Sequence, residues 1–405
     1  MTRITKEQAK SIIEAYGVKT AEDAHRAVKD LLGGVIQAAL EGELTQTLGY
    51  SKHDYKNKKI ENSRNGSYEK SVNSSLGEID LKIPRDRECE YEPIIVKKGQ
   101  SDISHLQERI ISMYGRGMST RDIGKHMEEI YGIDVSPEMV SKITDHVLIR
   151  IREWQSRPLQ TIYPILYMDA IYLNVRENAQ TVKKAVYIAI GIDSEGMKDV
   201  LGIWIGNNES AKFWLSVLTE IKNRGVNDIL IACIDGLSGF DKAIATVYSQ
   251  TEVQRCIVHH IRYCCKFVSW QDRKEFCQAM KQIYTAPTEE AALEALSAFD
   301  AKWGKKYAYA IKSWKTNWTN LSTFFKYPAE VRKLIYTTNP IESVNSSIRK
   351  VAGPKRIFPT DDAAMKSVFL AVSDRIKKWT SKTRDWSSII GQLAIYFEKR
   401  LEVIF

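Results

Sequence analysis

A chain of 405 residues with 59 Lys and Arg against 50 Asp and Glu, formal net charge +9, is too long for one ordinary domain. It is basic enough to suit a polyanionic partner, though charge alone settles nothing. Its six cysteines, Cys89, Cys233, Cys256, Cys264, Cys265 and Cys277, are too few and too clustered for a secreted disulfide framework. The opening MTRITKEQAKSIIEAYG lacks the apolar run of a signal peptide, and no stretch reaches the ~18 apolar residues of a membrane span, so a soluble, cytoplasmic protein is expected.

Within residues 20-48, Ala27, Leu31, Leu32, Val35, Ile36, Ala39 and Leu40 recur at three- and four-residue steps, which predicts a helix ending near Gly49. SKHDYKNKKIENSRNGSYEKS then reads as a polar, lysine-rich loop with a turn at Asn65-Gly66. VNSSLGEIDLKIP alternates through Leu76, Ile79, Leu81 and Ile83 as a short strand or hairpin before Pro84. Residues 1-98 form one accessory region in this reading.

Helical periodicity returns from Ser101 to Ile151, broken at Gly115, Gly117 and Gly132. Ser119 with Asp122 three residues on, and Ser136 followed by Pro137, specify two helix starts. Ile123, Ile130, Val140 and Ile143 are expected to share an apolar face that leaves Glu138, Ser141 and Lys142 outward. A helix-turn-helix over 117-146, inside a DNA-binding domain at 99-157, and an ordinary helical hairpin both satisfy this pattern.

Past Pro164 the runs ILYMDAIYLNV, KKAVYIAIGID and KDVLGIWIG read as three strands of an antiparallel meander. Helix SAKFWLSVLTEIKNRG, buried strand DILIACIDG, helix GFDKAIATVY and the strand-to-helix segment EVQRCIVHHIRYCC follow. Residues 266-332, with Trp270, Trp303, Trp314 and Trp318, are helical throughout and read as an insertion. The order predicts a ribonuclease-H-like α/β core with a mixed sheet, split by this all-helical insertion into a first part at 158-265 and a second part with C-terminal helices at 333-405, and preceded by helical DNA-binding regions.

Asp169 lies mid-strand in a run so apolar that an unpaired carboxylate there is costly, so either a neighbouring cation pairs with it or it serves a site. Asp235 ends a buried strand before Gly236, as a turn or cap aspartate or as a ligand at the strand's end. In a mixed sheet the first and fourth strands are often neighbours, which would set the two aspartates side by side. Glu342 stands at the third helical position after Asn339 and Pro340, where a capping box wants a glutamate. Alternatively Glu342, Asn345, Ser346 and Arg349 form a polar stripe, opposite Ile341, Val344 and Ile348, that meets metal and phosphate. Two or three converging carboxylates suit Mg²⁺ or Mn²⁺, and paired ions about 4 Å apart serve phosphodiester chemistry. Cys256 and His259 form a C-x2-H pair near His260, Cys264 and Cys265; without a second pair at finger spacing, packing or hydrogen bonding is preferred over zinc.

Six ordered blocks, LEGELTQTLGY at 40-50, RNGSYEKSV at 64-72, GEIDLKIPRDR at 77-87, IDGLSGF at 234-240, QRCIVHHIR at 254-262 and TTNPIESVNSSIRK at 337-350, carry a family resemblance. Along nearly its whole length the chain resembles the Mutator-type DDE transposases of bacterial insertion sequences. The resemblance implies that Asp169, Asp235 and Glu342 bind two Mg²⁺ or Mn²⁺ ions and that the family's C-x2-H falls on Cys256 and His259. It implies binding of double-stranded DNA at terminal inverted repeats and at a target, strand transfer, a circular intermediate, and a homodimer or larger assembly, without a membrane. Arg121, Lys142, Arg349 and Lys350 are the candidate DNA contacts, and Trp303, Trp314 and Trp318 are base-stacking candidates whose preferred reading is insertion core. Glu88-Cys89-Glu90-Tyr91 departs from the family's small residue followed by an aromatic. A non-catalytic DNA-binding descendant and a nuclease on the same fold are the alternatives.

Overall fold

The helical periodicity after Thr20 produces α1 (Ala21–Leu48), opened by a capping box in which the Asp23 amide donates to Thr20 Oγ1 (3.2 Å) and the Thr20 amide to Asp23 Oδ2 (3.0 Å). It closes at Gly49, whose φ of +70° suits a residue without Cβ. The computed structural model describes residues 14–52, 54, 60–74, 76–99, 104–131, 135–336 and 339–401. These form two units, Met1–Ile149 and Arg150–Phe405.

In the first unit, α1 packs on a hairpin of β1 (Arg64–Ser74) and β2 (Gly77–Asp86), burying Ile36, Leu40 and Leu44 with Val72, Ile79, Leu81 and Ile83. Asn65-Gly66 is a bulge inside β1, between Arg64 and Ser67, and not a turn; Gly66 has φ +69°. A turn and a bulge both want positive φ, so the dipeptide alone does not separate them. Pro84 likewise lies inside β2, paired with Ser67 beside that bulge.

The block at 40-50 is scaffolding. Arg64 reaches Glu41 (3.0 Å) and Thr45 Oγ1 (2.7 Å). Buried Glu43 accepts from Tyr91 Oη (3.0 Å) and from the Ile94 and Ile95 amides (3.2 and 3.1 Å), while burial pushes its carboxyl upward. Glu43→Ala would strand the Ile94 and Ile95 amides, while the Tyr91 hydroxyl keeps the Leu40 carbonyl (3.2 Å), and we expect a loss of about 2–4 kcal/mol. Urea unfolding, with faster amide exchange at Ile94 and Ile95, is the check; unchanged protection there would remove this role.

Three helices follow: α2 (Ser104–Gly115), α3 (Thr120–Tyr131) and α4 (Pro137–Ser156). Both predicted starts are capped, the Asp122 amide donating to Ser119 Oγ (3.1 Å) and the Met139 amide to Ser136 Oγ (3.2 Å). Ile123, Val140 and Ile143 are buried as expected, but Ile130 is 57 % exposed and Met127, four residues after Ile123, takes the inner position. A Cβ on Gly124 would stand 2.6 Å from the Val135 carbonyl oxygen, so glycine permits this close approach. Arg121, Glu138 and Lys142 are exposed, and the turn expected at Gly132 lies outside the described residues.

The second unit is built on a mixed sheet of β3 (Ile162–Glu177), β4 (Gln180–Ile192), β5 (Lys198–Gly206), β6 (Asp228–Ile234) and β7 (Glu252–Arg255), in the order β5-β4-β3-β6-β7. The predicted meander β3-β4-β5 is antiparallel, whereas β6 and β7 run parallel to β3. One face carries α5 (Ala211–Asn223) and α6 (Phe240–Val247), where Trp214 stacks on Phe240 at 4.7 Å over Leu166, Met168 and Ala189. Pleating turns residues 167 and 169 to the other face, against α13 (Asn339–Lys355), while α14 (Asp361–Ile376) packs on β3 and β5.

Between β7 and α13 lie α7 (Ile257–Cys265), α8 (Arg273–Tyr284), α9 (Glu289–Trp303), α10 (Ala308–Thr316), α11 (Trp318–Leu321), a 3-10 turn and α12 (Ala329–Ile335). Phe276 centres their core, against Phe299, Trp303 and Tyr307 at 4.8, 5.5 and 5.4 Å. Trp303 and Trp314 are buried, and Trp318 donates to Glu289 Oε1 (2.9 Å), so these tryptophans hold this helical block together; Trp270 is exposed. The chain continues through α15 (Trp386–Tyr396) and α16 (Glu398–Leu401). Among the described residues no helix is long and apolar enough to cross a membrane.

Candidate active site

Parallel pairing of β3 and β6 sets Tyr167 opposite Cys233; two residues further along the chain come Asp169, still on β3, and Asp235, just past the end of β6. Buried Asp169 is fixed by the Ala170 amide donating to Oδ1 (2.9 Å) and Asn345 Nδ2 donating to Oδ2 (2.7 Å). Among the described residues no lysine or arginine pairs with it, so the ion-pair alternative is not what occupies this carboxylate. Burial pushes the Asp169 carboxyl up to about 6, with the Asp235 charge adding to the rise and His259 opposing it. Asp235 accepts from the Leu237 amide (3.1 Å), as a turn aspartate does, and burial raises its carboxyl as well.

Asp235 also lines a cleft of about 430 Å³ with Arg255, His259, His260, Tyr263 and Asn317. The Cys256 amide donates to the Ile234 carbonyl (2.7 Å), which pins the start of α7 at the end of β6 and presents His259 to the aspartates. His259 is held protonated, its pKa raised to about 9, by its hydrogen bond with buried Cys256 and by the Asp169 and Asp235 carboxylates, against its own burial.

Glu342 is placed differently. Its Oε1 stands 2.8 Å from Arg262 Nη2 of α7, an ion pair without hydrogen-bond alignment. Asn345, one turn further along the same helix, makes the contact with Asp169. The structure therefore brings Asp169, Asp235 and His259 together and joins α13 to them through Asn345. Among the described residues no three His, Cys, Asp or Glu side chains are gathered as a metal cage. Ile341, Val344 and Ile348 are buried as the stripe required, and Arg349 and Lys350 are exposed on the same helix.

Sequence reasoning missed Glu209, in the loop between β5 and α5. Burial, then the Asp235 and Asp169 charges, push its carboxyl up to about 7, with a Trp214 hydrogen bond opposing. Its only local signal is an acid directly before Ser210, a helix cap whose Oγ accepts from the Phe213 amide (3.2 Å).

Fold and site define an α/β protein with one buried aspartate on a strand of a mixed sheet and a second just past the end of the parallel neighbouring strand, beside a polar cleft. The chain belongs to the Mutator family of transposases, whose family model, described as Transposase, Mutator family, matches residues 3–382. It is 45% identical over 340 residues to the transposase for insertion sequence element ISRM3 of Rhizobium meliloti (strain 1021), covering 84% of this chain and 85% of that protein. A probable transposase for an insertion sequence element of Corynebacterium diphtheriae is 38% identical over 338 residues, covering 78% and 98%. The transposase for IS256 in transposon Tn4001 of Staphylococcus aureus is 29% identical over 385 residues, covering 94% and 96%.

Proposed function

We propose that the chain is the transposase of an insertion sequence, acting in a bacterial cytoplasm on double-stranded DNA. In this reading it binds the element's terminal inverted repeats and cuts and joins DNA at divalent metal held by Asp169 and Asp235, with Glu342 as third acid. The observation that carries the reading is the placement of Asp169 on β3 and of Asp235 just past the end of its parallel neighbour β6, with no lysine or arginine ion-paired to either among the described residues.

The donor set fits Mg²⁺ or Mn²⁺: it is all hard oxygen, and the buried Asn345 adds an Oδ1 with no hydrogen-bond partner. Divalent ions bound there supply Lewis-acid stabilisation of the attacking and leaving oxygens of an in-line displacement at phosphorus. The chain's own part is orientation and charge. Asn345 and the Ala170 amide fix Asp169, the Leu237 amide fixes Asp235, and protonated His259 offsets their charge. DNA phosphate competes with Glu342 for the half-exposed Arg262 guanidinium and thereby frees Glu342 to join the site.

The strand order and the helices after β5 and β6 support a ribonuclease-H-like core at 158-265 and 333-405, interrupted by the helical insertion at 266-332. The capped pair α3 and α4 supports a helix-turn-helix within 99-157, behind the accessory region 1-98, and two element ends per event call for at least a dimer and allow a circular intermediate. The test is a supercoiled plasmid carrying the element's ends, incubated with protein and Mg²⁺ or Mn²⁺, with breaks and joints mapped by sequencing. Joints at the repeat termini that vanish with Asp235→Asn support the reading. End binding without metal-dependent cutting makes the chain a DNA-binding protein, and cutting without joints makes it a nuclease.

Arg121 and Lys142 are exposed and read as phosphate contacts. The double substitution Arg121→Ala, Lys142→Ala should weaken binding to repeat DNA and flatten the log Kd against log salt plot by about 2. An unchanged slope in fluorescence anisotropy would move the DNA contact elsewhere.

A further inference from the structure

Glu209 is held in place more firmly than a loop carboxylate requires. The single hydroxyl of buried Tyr187 donates to the Asn208 carbonyl (2.5 Å) and accepts from the Ser210 amide (3.1 Å), clamping both neighbours of Glu209. The loop after β6 packs against the same spot, since a Cβ on Gly239 would lie 3.4 Å from Ala211 Cβ. Glu209 and Asp235 therefore emerge from neighbouring loops at one end of the sheet, with Trp214 Nε1 donating to Glu209 Oε1 at 3.4 Å.

Among the described residues no lysine or arginine is ion-paired with Glu209, whereas the surface acids Asp272, Asp300 and Glu275 each have a lysine. The charges that act on it are the like charges of Asp235 and Asp169, with His259 as the opposing one. Across the same cluster the Asn345 amide, on a side chain 1 % exposed, touches Asp169 through Nδ2 and leaves Oδ1 without a partner. A clamped, half-buried acid acted on by the like charges of two others, together with an unpartnered buried acceptor beside Asp169, is an arrangement completed by a cation.

We propose that Glu209 is a fourth acidic residue of this site, a positioning residue that reaches the divalent ion of Asp169 and Asp235 through a bound water. The inference rests on the metal reading of those two aspartates. Glu209 acts from the α5 side of the sheet and Glu342 from the α13 side, so their roles are separate.

The experiment is titration of full-length wild type, Glu209→Gln, Glu209→Asp and Asp235→Asn with Mn²⁺ alone, reading free Mn²⁺ by electron paramagnetic resonance and metal-free melting in parallel. Asp235→Asn is expected to lose tight Mn²⁺ binding, and Glu209→Gln to weaken it by about tenfold without lowering the metal-free melting temperature. Wild-type affinity in Glu209→Gln, alongside a loss in Asp235→Asn, overturns the role of Glu209 and leaves the metal site standing. Undiminished binding in Asp235→Asn overturns the metal reading itself. If Glu209→Gln melts early, Glu209→Asp decides: recovered affinity supports the proposal, and no recovery overturns it.

Discussion

Asp169→Asn is expected to raise the melting temperature of the metal-free protein at pH 7.5 by roughly 2–10 °C while abolishing DNA cleavage. The two effects share one cause. Burial raises the Asp169 carboxyl from its ordinary value near 4 to about 6, so the folded state binds a proton more tightly than the unfolded chain does. The sign follows: this contribution to stability is present below about pH 4 and is lost as pH rises to about 6 and beyond. Above that window the ionised carboxylate costs the fold up to about 3 kcal/mol. Asparagine carries no such charge, and it fits: Asn345 has an unpartnered Oδ1 that, after rotation of its amide, accepts from the new Nδ2, while the Ala170 amide keeps its acceptor. Cleavage should fall by about three orders of magnitude or more, the equivalent of several kcal/mol of transition-state stabilisation. Calorimetry across pH 4–8 and plasmid cleavage are the paired measurements. A metal-free variant less stable than wild type at pH 7.5 would mean that Asp169 is structurally compensated, and the argument for a strained site would fail.

Trp214→Ala carries the largest expected structural cost, about 3–5 kcal/mol. The indole is wholly buried between Phe240 (4.7 Å) and Tyr187 (4.9 Å), at the junction of α5, α6 and β4, where no neighbour is free to close the cavity. The substitution also takes away the donor to Glu209 and loosens Tyr187, the hydroxyl that clamps residues 208 and 210. Denaturant unfolding should therefore show the midpoint drop together with a loss of cleavage that added Mn²⁺ only partly restores. Trp214→Phe keeps most of the packing and loses only the Nε1 contact, so its stability loss should stay near 1–2 kcal/mol. Equal losses in both variants would locate the cost in the hydrogen bond and not in the core.

Several features are legible in the amino-acid sequence because they depend on short stretches of chain. The meander β3-β4-β5 and the buried β6 are written as apolar, β-branched runs, and the starts of α3 and α4 as Ser119 with Asp122 and Ser136 with Pro137. Asp169 stands out because a charge inside such a run demands an explanation. Asn65-Gly66 forms a bulge where a turn is expected because both ask the same of the backbone, and Ile130 is exposed because a short helix has a broad apolar arc of which only packing selects the centre.

By itself the amino-acid sequence determined the family and the order of strands and helices, and it named Asp169, Asp235 and Glu342 as the candidate acids, since each follows from local pattern or from ordered motifs. Only the tertiary structure decided that Asn345, rather than Glu342, touches Asp169, that Glu342 lies against Arg262, that Trp303 and Trp314 are core, and that Glu209 stands where the charges of the two aspartates act on it. The reason is geometric. Glu342 and Asn345 share a helix face and Glu209 precedes a helix cap, so spacing leaves each several partners; the seating of α13 and α5 against the two faces of one sheet selects among them.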